Sequence, residues 1–173
     1  MTDASPFRRF EEWWADKEVP MVLATSGPAA RAVVLEQFDE RGFCFFTSAE
    51  SPTGEQLARD PRAALVWLWD GRQARVEGRV ERVSDEENER HWAEREGKRQ
   101  LVAFHQSEPV ESRDELLALL ESVPDAPPRP SFWVGYRVVP ERFEFWIEDD
   151  DYVHDRFEHV RNGDGWSRRR LQP

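Results

Sequence analysis

Between Gln73 and Arg82 the side chains alternate without a break. Gln73, Arg75, Glu77, Arg79 and Glu81 fall on one face of an extended chain, and Ala74, Val76, Gly78 and Val80 on the other. That pattern predicts a half-buried strand, and the flanking segments are of the same kind. Residues 21–25, 32–38, 43–47 and 63–69 are rich in Val, Leu and Phe, and Asp39-Glu40-Arg41-Gly42 turns the second of these runs into the third as a hairpin. Further strand-like runs cover residues 135–139, 142–147 and 152–161, after which Asn162-Gly163-Asp164-Gly165 turns the chain into residues 166–171. Helices are interleaved. Phe7, Phe10, Trp13 and Trp14 recur at spacings that put them on one side of a docking helix over residues 6–17. Ser51-Pro52 opens a short helix that Asp60-Pro61 closes, and Ser84 to Glu87 and Ser112 to Glu115 read as capping boxes. Residues 97–111 are less regular, and 123–130, with four prolines, form a connector. Many antiparallel strands with a few helices predict a mainly β fold, a barrel with helical additions.

Length and composition narrow the function classes. A chain of 173 residues is expected to form a single domain over 1–173, large enough to bury a core without disulfide or metal staples. Its one cysteine, Cys44, rules out a disulfide scaffold; lying between Phe43 and Phe45, it reads as a small hydrophobe. A formal charge of -11 opposes binding to phosphate backbones or anionic lipid, so neither nucleic acid nor membrane is an expected partner. The apolar run at 63–69 is far shorter than the roughly 20 residues of a membrane-spanning helix, and the expectation is a soluble cytoplasmic protein. With 8 Trp and 11 Phe the chain has ample material for a packed core.

Nine landmarks in order carry a resemblance. They are Met21-Val22-Leu23-Ala24-Thr25, Arg31-Ala32-Val33-Val34-Leu35, Phe38-Asp39-Glu40-Arg41-Gly42, Asp60-Pro61-Arg62-Ala63-Ala64-Leu65, Arg75-Val76-Glu77-Gly78-Arg79-Val80, Pro128-Arg129-Pro130-Ser131-Phe132-Trp133, Glu144-Phe145-Trp146, His154-Asp155-Arg156 and Arg170-Leu171-Gln172-Pro173. From about Val19 onward the chain resembles the pyridoxine (pyridoxamine) 5′-phosphate oxidase family. The resemblance implies an antiparallel split β-barrel that forms a homodimer, with two FMN sites at the subunit interface. It also implies oxidation of a small-molecule substrate through the flavin, with oxygen as final acceptor.

Matched residue by residue, the resemblance assigns flavin contacts to Arg31, Ala32, Val33, Val34, Phe46, Thr47, Ser51, Gln73, Gln106, Ser107, Trp146 and Arg156. Such a set mixes amide and hydroxyl partners, an aromatic wall and positive charge, as a flavin phosphate requires. It assigns substrate contacts to Glu36, His91, Arg95, Arg99, Tyr152 and His154, with Tyr152, His154 and Arg156 beside the chemistry. Several positions depart from the family pattern. Glu36 stands where the family has Lys, and Ser51-Pro52-Thr53 where it has Ser-Arg-Lys. His91 replaces Tyr, Arg99 replaces Ser and Tyr152 replaces Arg, while Arg95 and His154 are kept.

A flavin wall retained beside an altered pocket implies an oxidase acting on a small aromatic or heterocyclic substrate other than pyridoxamine phosphate. The ending Arg170-Leu171-Gln172-Pro173 is similar to the phenazine-biosynthesis branch of the family. Two alternatives stay open: oxidation of the vitamin phosphate by a rearranged pocket, and a non-catalytic ligand-binding dimer. Period-two geometry predicts that Tyr152, His154 and Arg156 share one strand face. The acidic run at 148–151 is expected to be a solvated turn, with no metal site. Trp67 and Trp69 are expected in core or dimer packing.

Overall fold

The computed structural model describes residues 5–16, 18–95, 97–104, 109–124 and 126–173. Its elements run α1 (Pro6–Asp16), β1 (Met21–Thr25), β2 (Ala29–Val33), β3 (Gln37–Asp39), β4 (Gly42–Ser48), α2 (Pro52–Arg59), β5 (Arg62–Trp69) and β6 (Arg72–Arg82). Then come α3 (Asp85–Glu94), α4 (Lys98–Phe104), α5 (Arg113–Ser122), β7 (Trp133–Ile147), β8 (Asp155–Asn162) and β9 (Gly165–Arg170). Among the described residues the strand pairings are all antiparallel, in the order β2-β1-β5-β6-β7-β4-β3, with β8 and β9 continuing from β7. No helix among the described residues is long and apolar enough to cross a membrane.

The two ends of that strand order reveal its shape. β2 and β3 are its outermost members, yet only Val34, Leu35 and Glu36 separate them in sequence. Three residues span at most about 10 Å of extended chain, so the sheet must curl until its edges nearly meet. The result is the barrel-like sheet expected from the sequence, with a seam at Val34–Glu36. The single strand expected over 32–38 is therefore two strands: β2 pairs with β1, and β3 pairs with β4. No glycine or proline marks the seam in the sequence; what breaks the strand is a change of partner.

Helix α1 plugs the barrel. Phe10 is fully buried, with its ring centroid 4.7 Å from Trp67, 4.8 Å from Phe43 and 5.1 Å from Phe38. Trp67 and Trp69 both belong to this core, as expected. Cys44 is buried too, and burial pushes its thiol pKa up, consistent with an inert hydrophobe.

The runs at 135–139 and 142–147 prove to be one strand, β7. Its register against β6 slips between Glu77 and Gly78, where Pro140 sits opposite Gly78. Proline is tolerated in a sheet at such a bulge, and a Cβ on Gly78 would lie 2.0 Å from the Val139 carbonyl oxygen. Ser51 caps α2 by accepting from the Gly54 N–H, and Ser84 with Glu87 forms a complete capping box on α3. The second expected box is only half made. Ser112 accepts from the Glu115 N–H, but the Glu115 carboxylate accepts from the Glu111 N–H instead of the cap's own. The stretch at 97–111, expected to be irregular, contains α4.

Candidate functional site

The seam places the first group of expected site residues. Ala32, Val33 and Val34 line a cleft of about 390 Å³ together with Trp14, Val19 and Pro20, and Val34 is 62% exposed. On the same strand, β2, the Arg31 guanidinium donates to Thr25 Oγ1 at 2.7 Å and to Gln56 Oε1 at 2.8 Å. Thr25 in turn donates to the same Gln56 oxygen at 2.6 Å, which closes a triangle. Both acceptors are neutral, so the contacts fix the cation without discharging it. On β4 the Thr47 hydroxyl lies 3.5 Å from that of Ser51, and the latter also donates to the Ser48 carbonyl.

A second group forms a row across three strands. Gln73 on β6 is the direct cross-strand partner of Trp146 on β7, and Trp146 is the direct partner of Arg156 on β8. Direct partners project to the same side of a sheet, so amide, indole and guanidinium share the outer face. Glu144 anchors the row, holding Arg156 at 3.0 Å and Arg75 at 3.1 Å. His154 packs its ring 4.7 Å from Trp146, and its Nδ1 accepts from the Asp149 N–H at 3.1 Å. A neutral imidazole accepting at Nδ1 carries its proton on Nε2.

Tyr152, His154 and Arg156 do not share a strand face. β8 begins only at Asp155, and Tyr152 sits in the preceding turn with φ 59°, its N–H donating to the Asp149 carbonyl. A left-handed backbone takes Tyr152 out of the strand alternation and leaves it 82% exposed. Its ring is 6.0 Å from His154, so the expected residues still gather around Trp146, from a turn and a strand rather than from one strand. The acidic run at 148–151 is exposed turn and coil, as expected.

Glu36, His91, Arg95 and Arg99 form a third cluster. Glu36 Oε1 accepts from Arg95 at 3.3 Å and from Arg99 at 2.8 Å. The Arg95 guanidinium lies 5.3 Å over the Trp133 ring, Phe46 stacks on Trp133 at 4.6 Å, and His91 packs on Phe46 at 4.7 Å. His91 Nε2 meets Gln37 Oε1 at 2.9 Å. Burial pulls the His91 pKa below the ordinary histidine value, so the ring is neutral at pH 7. α3 carries His91 and leads into Arg95, and it is pinned to β7 by Asn88, whose Oδ1 accepts from the buried Gly135 N–H at 2.8 Å.

Comparison with known proteins decides the family. Residues 9–134 match the profile described as pyridoxamine 5′-phosphate oxidase, and 133–173 match the pyridoxine 5′-phosphate oxidase C-terminal dimerisation region. The chain belongs to the pyridoxamine 5′-phosphate oxidase family. Relatives from Rubrobacter xylanophilus and Ralstonia pickettii, each named pyridoxine/pyridoxamine 5′-phosphate oxidase, are 44% identical over 99% of this chain and 88% and 90% of their own lengths. Among solved structures, PhzG from Burkholderia lata, in complex with tetrahydrophenazine-1-carboxylic acid, superposes with TM-score 0.88 at 29% identity, over 98% of this chain and 93% of PhzG. A pyridoxamine 5′-phosphate oxidase-related, FMN-binding protein from Nostoc punctiforme shares the fold, with TM-score 0.81 at 20% identity over 99% of both chains.

Of the positions that match the pyridoxamine 5′-phosphate oxidase family pattern, Gln106 and Ser107 lie outside the described residues. Sequence reasoning missed two members of the third cluster. Trp133 was legible only as part of a landmark, and its place beneath Arg95 depends on β7 running beside β4. Gln37 carries no sequence signal at all; the seam brings it to His91.

Proposed function

We propose that this chain, a single domain over residues 1–173, works as a homodimeric, FMN-dependent oxidase on a small aromatic or heterocyclic substrate other than pyridoxamine phosphate. The observation that carries the reading is the separation of two complementary half-sites on one strand framework. Thr47 pairs with Val134 at one end of β7, whereas the Gln73–Trp146–Arg156 row crosses its other end. From Val134 to Trp146 is roughly 40 Å of strand at about 3.3 Å per residue. One copy does not close both halves around a single flavin, and a second copy supplies the missing half. The outer face bearing the row also exposes Leu68, directly paired with Gln73, and Val22, apolar surface suited to burial against a partner.

The residues present fit FMN. The Arg31 cation, held by neutral oxygens, is available to a phosphate; at the α2 N-terminus Pro52 has no N–H and those of Gly54 and Glu55 go to Ser51, which leaves the Thr53 N–H for the same charge. Gln73, Trp146 and Arg156 offer an amide, an aromatic wall and a cation for the ring system. When bound, FMN supplies the acceptor for a hydride and the route of electrons to oxygen. The chain's own part is placement and charge. Arg31 would hold the phosphate, and the row would orient the ring. His154, with its proton on Nε2, presents a donor beside Trp146. Arg95 and Arg99 orient the substrate.

The vitamin-phosphate oxidase reading has its own support, the name shared by relatives 44% identical to this chain. Against it stands Glu36, a carboxylate at hydrogen-bond distance from both arginines that would hold a substrate phosphate. Three measurements test the proposal together. Added FMN should bind, with its fluorescence quenched, and light scattering should give about twice the 20.4 kDa chain mass. Pyridoxamine phosphate should yield negligible peroxide. Protein that ignores FMN is the non-catalytic member instead, and rapid peroxide formation from pyridoxamine phosphate restores the vitamin-phosphate reading.

A further inference from the structure

The side chains of Glu36 and Arg95 are 20% and 18% exposed and that of Arg99 is 59% exposed, so two members of the ion triad are shielded and the third is open to solvent. Glu36 is fixed there by its backbone, whose N–H donates to the Cys44 carbonyl at the barrel seam. Arg95 is fixed by Trp133 beneath it and by its Nε–H, which donates to the Arg99 carbonyl. One carboxylate oxygen, Oε1, takes both guanidinium contacts, so each arginine keeps further N–H groups for a ligand. His91 is neutral, as burial lowers its pKa, and contributes no charge. One carboxylate against two guanidiniums leaves the triad with a single positive charge.

We propose that Glu36 sets the specificity of this arginine fork, tuning it to a monoanionic carboxylate on an aromatic substrate and against a dianionic phosphate. The inference deepens the oxidase reading by naming the substrate class. A carboxylate brings the fork to neutrality. A phosphate dianion overshoots it and sets like charges side by side in a partly buried site, where their repulsion is weakly screened. Phe46, stacked between His91 and Trp133, gives the fork an aromatic border for the substrate's ring.

Benzoate and phenyl phosphate are the probes, titrated calorimetrically at pH 7.5 into FMN-loaded protein. At that pH the phosphate ester is a dianion, its second pKa being about 6. Wild-type protein should bind benzoate more tightly. Glu36→Gln, nearly isosteric, should swing the affinity ratio about tenfold or more toward phenyl phosphate, the effect of removing one charge at close range. The fork lies within one chain, so the same titration on flavin-free protein reads the selectivity even where FMN fails to bind. Failure to take up FMN therefore sinks the oxidase reading alone. A melting curve confirms that the variant is folded, and Glu36→Asp, retaining the charge, should keep the wild-type preference. Tighter binding of phenyl phosphate by the wild type, no binding of either probe, or a ratio unmoved by Glu36→Gln overturns the proposal.

Discussion

Replacing Asn88 by alanine removes a side chain that ties α3 to the core sheet through a buried backbone group. Asn88 is 2% exposed, and its Oδ1 accepts from the Gly135 N–H at 2.8 Å. In Asn88→Ala that N–H loses its acceptor in a buried position. A buried backbone donor left unsatisfied costs about 1–3 kcal/mol. For a domain of this length each kcal/mol corresponds to a melting-temperature change of about 2–4 °C, so the expected fall is about 2–12 °C. The consequence reaches the site, since His91 and Arg95 follow Asn88 along the same helix. Loosening α3 should also weaken the contacts of Arg95 with Glu36 and Trp133. Differential scanning calorimetry reads the first effect, and the Trp-dominated near-ultraviolet dichroism reads the second. Ala93→Gln, exposed on the same helix, is the control and should change stability by less than about 0.5 kcal/mol. A melting temperature for Asn88→Ala within about 1 °C of wild type would refute the reasoning, because the N–H would then have found another partner at no cost.

Gly135→Ala should destabilise by about 1–3 kcal/mol, since its Cβ would meet Phe46 Cε1 and Val83 Cγ2 at 2.6 Å; a denaturant midpoint equal to wild type would contradict it. Phe10→Ala, emptying the barrel plug, should cost about 3–5 kcal/mol by the same measurement, and a loss below about 1 kcal/mol would mean that the barrel closes without it. Acid should unfold the protein through ion-paired carboxylates, among them the buried Glu158 and the half-buried Glu87. Burial alone would raise Glu87 and Glu158, but Arg137 outweighs it at Glu87, and Arg169 with Arg142 at Glu158, so both lie below the ordinary carboxylate value. A depressed folded-state pKa gives stability that is complete above the unfolded value, about 4.3 for Glu, and is lost as pH falls through the folded value. Stability should therefore hold from neutral pH down to about 5 and then decline, and Glu158→Gln should flatten the decline; equal slopes in variant and wild type would show that Glu158 is not coupled to it.

The sequence by itself determined the elements whose cause is local. Alternation over residues 73–82 marks β6, Ser51-Pro52 and Asp60-Pro61 bracket α2, and the aromatic spacing from Phe7 to Trp13 makes α1 a plug; each is written within a few residues by side-chain period, capping chemistry or proline sterics. The landmark order also determined the family, because nine motifs in sequence leave few alternatives. Partner choice was not legible. The run at 32–38 carries no glycine or proline to mark a break, and only the curl of the sheet divides it into two strands at opposite edges. Tyr152 looked like a strand residue by parity, but a turn held by Asp149 gives it a left-handed backbone that no alternation rule anticipates. In sequence Glu36 was legible only as a carboxylate standing where the family has Lys. Tertiary structure gave it its partners, placing it between Arg95 and Arg99, residues far along the chain that the barrel seam and α3 bring to it. The sign of a charge is a property of the residue, whereas its effect on a ligand depends on which charges the fold sets beside it.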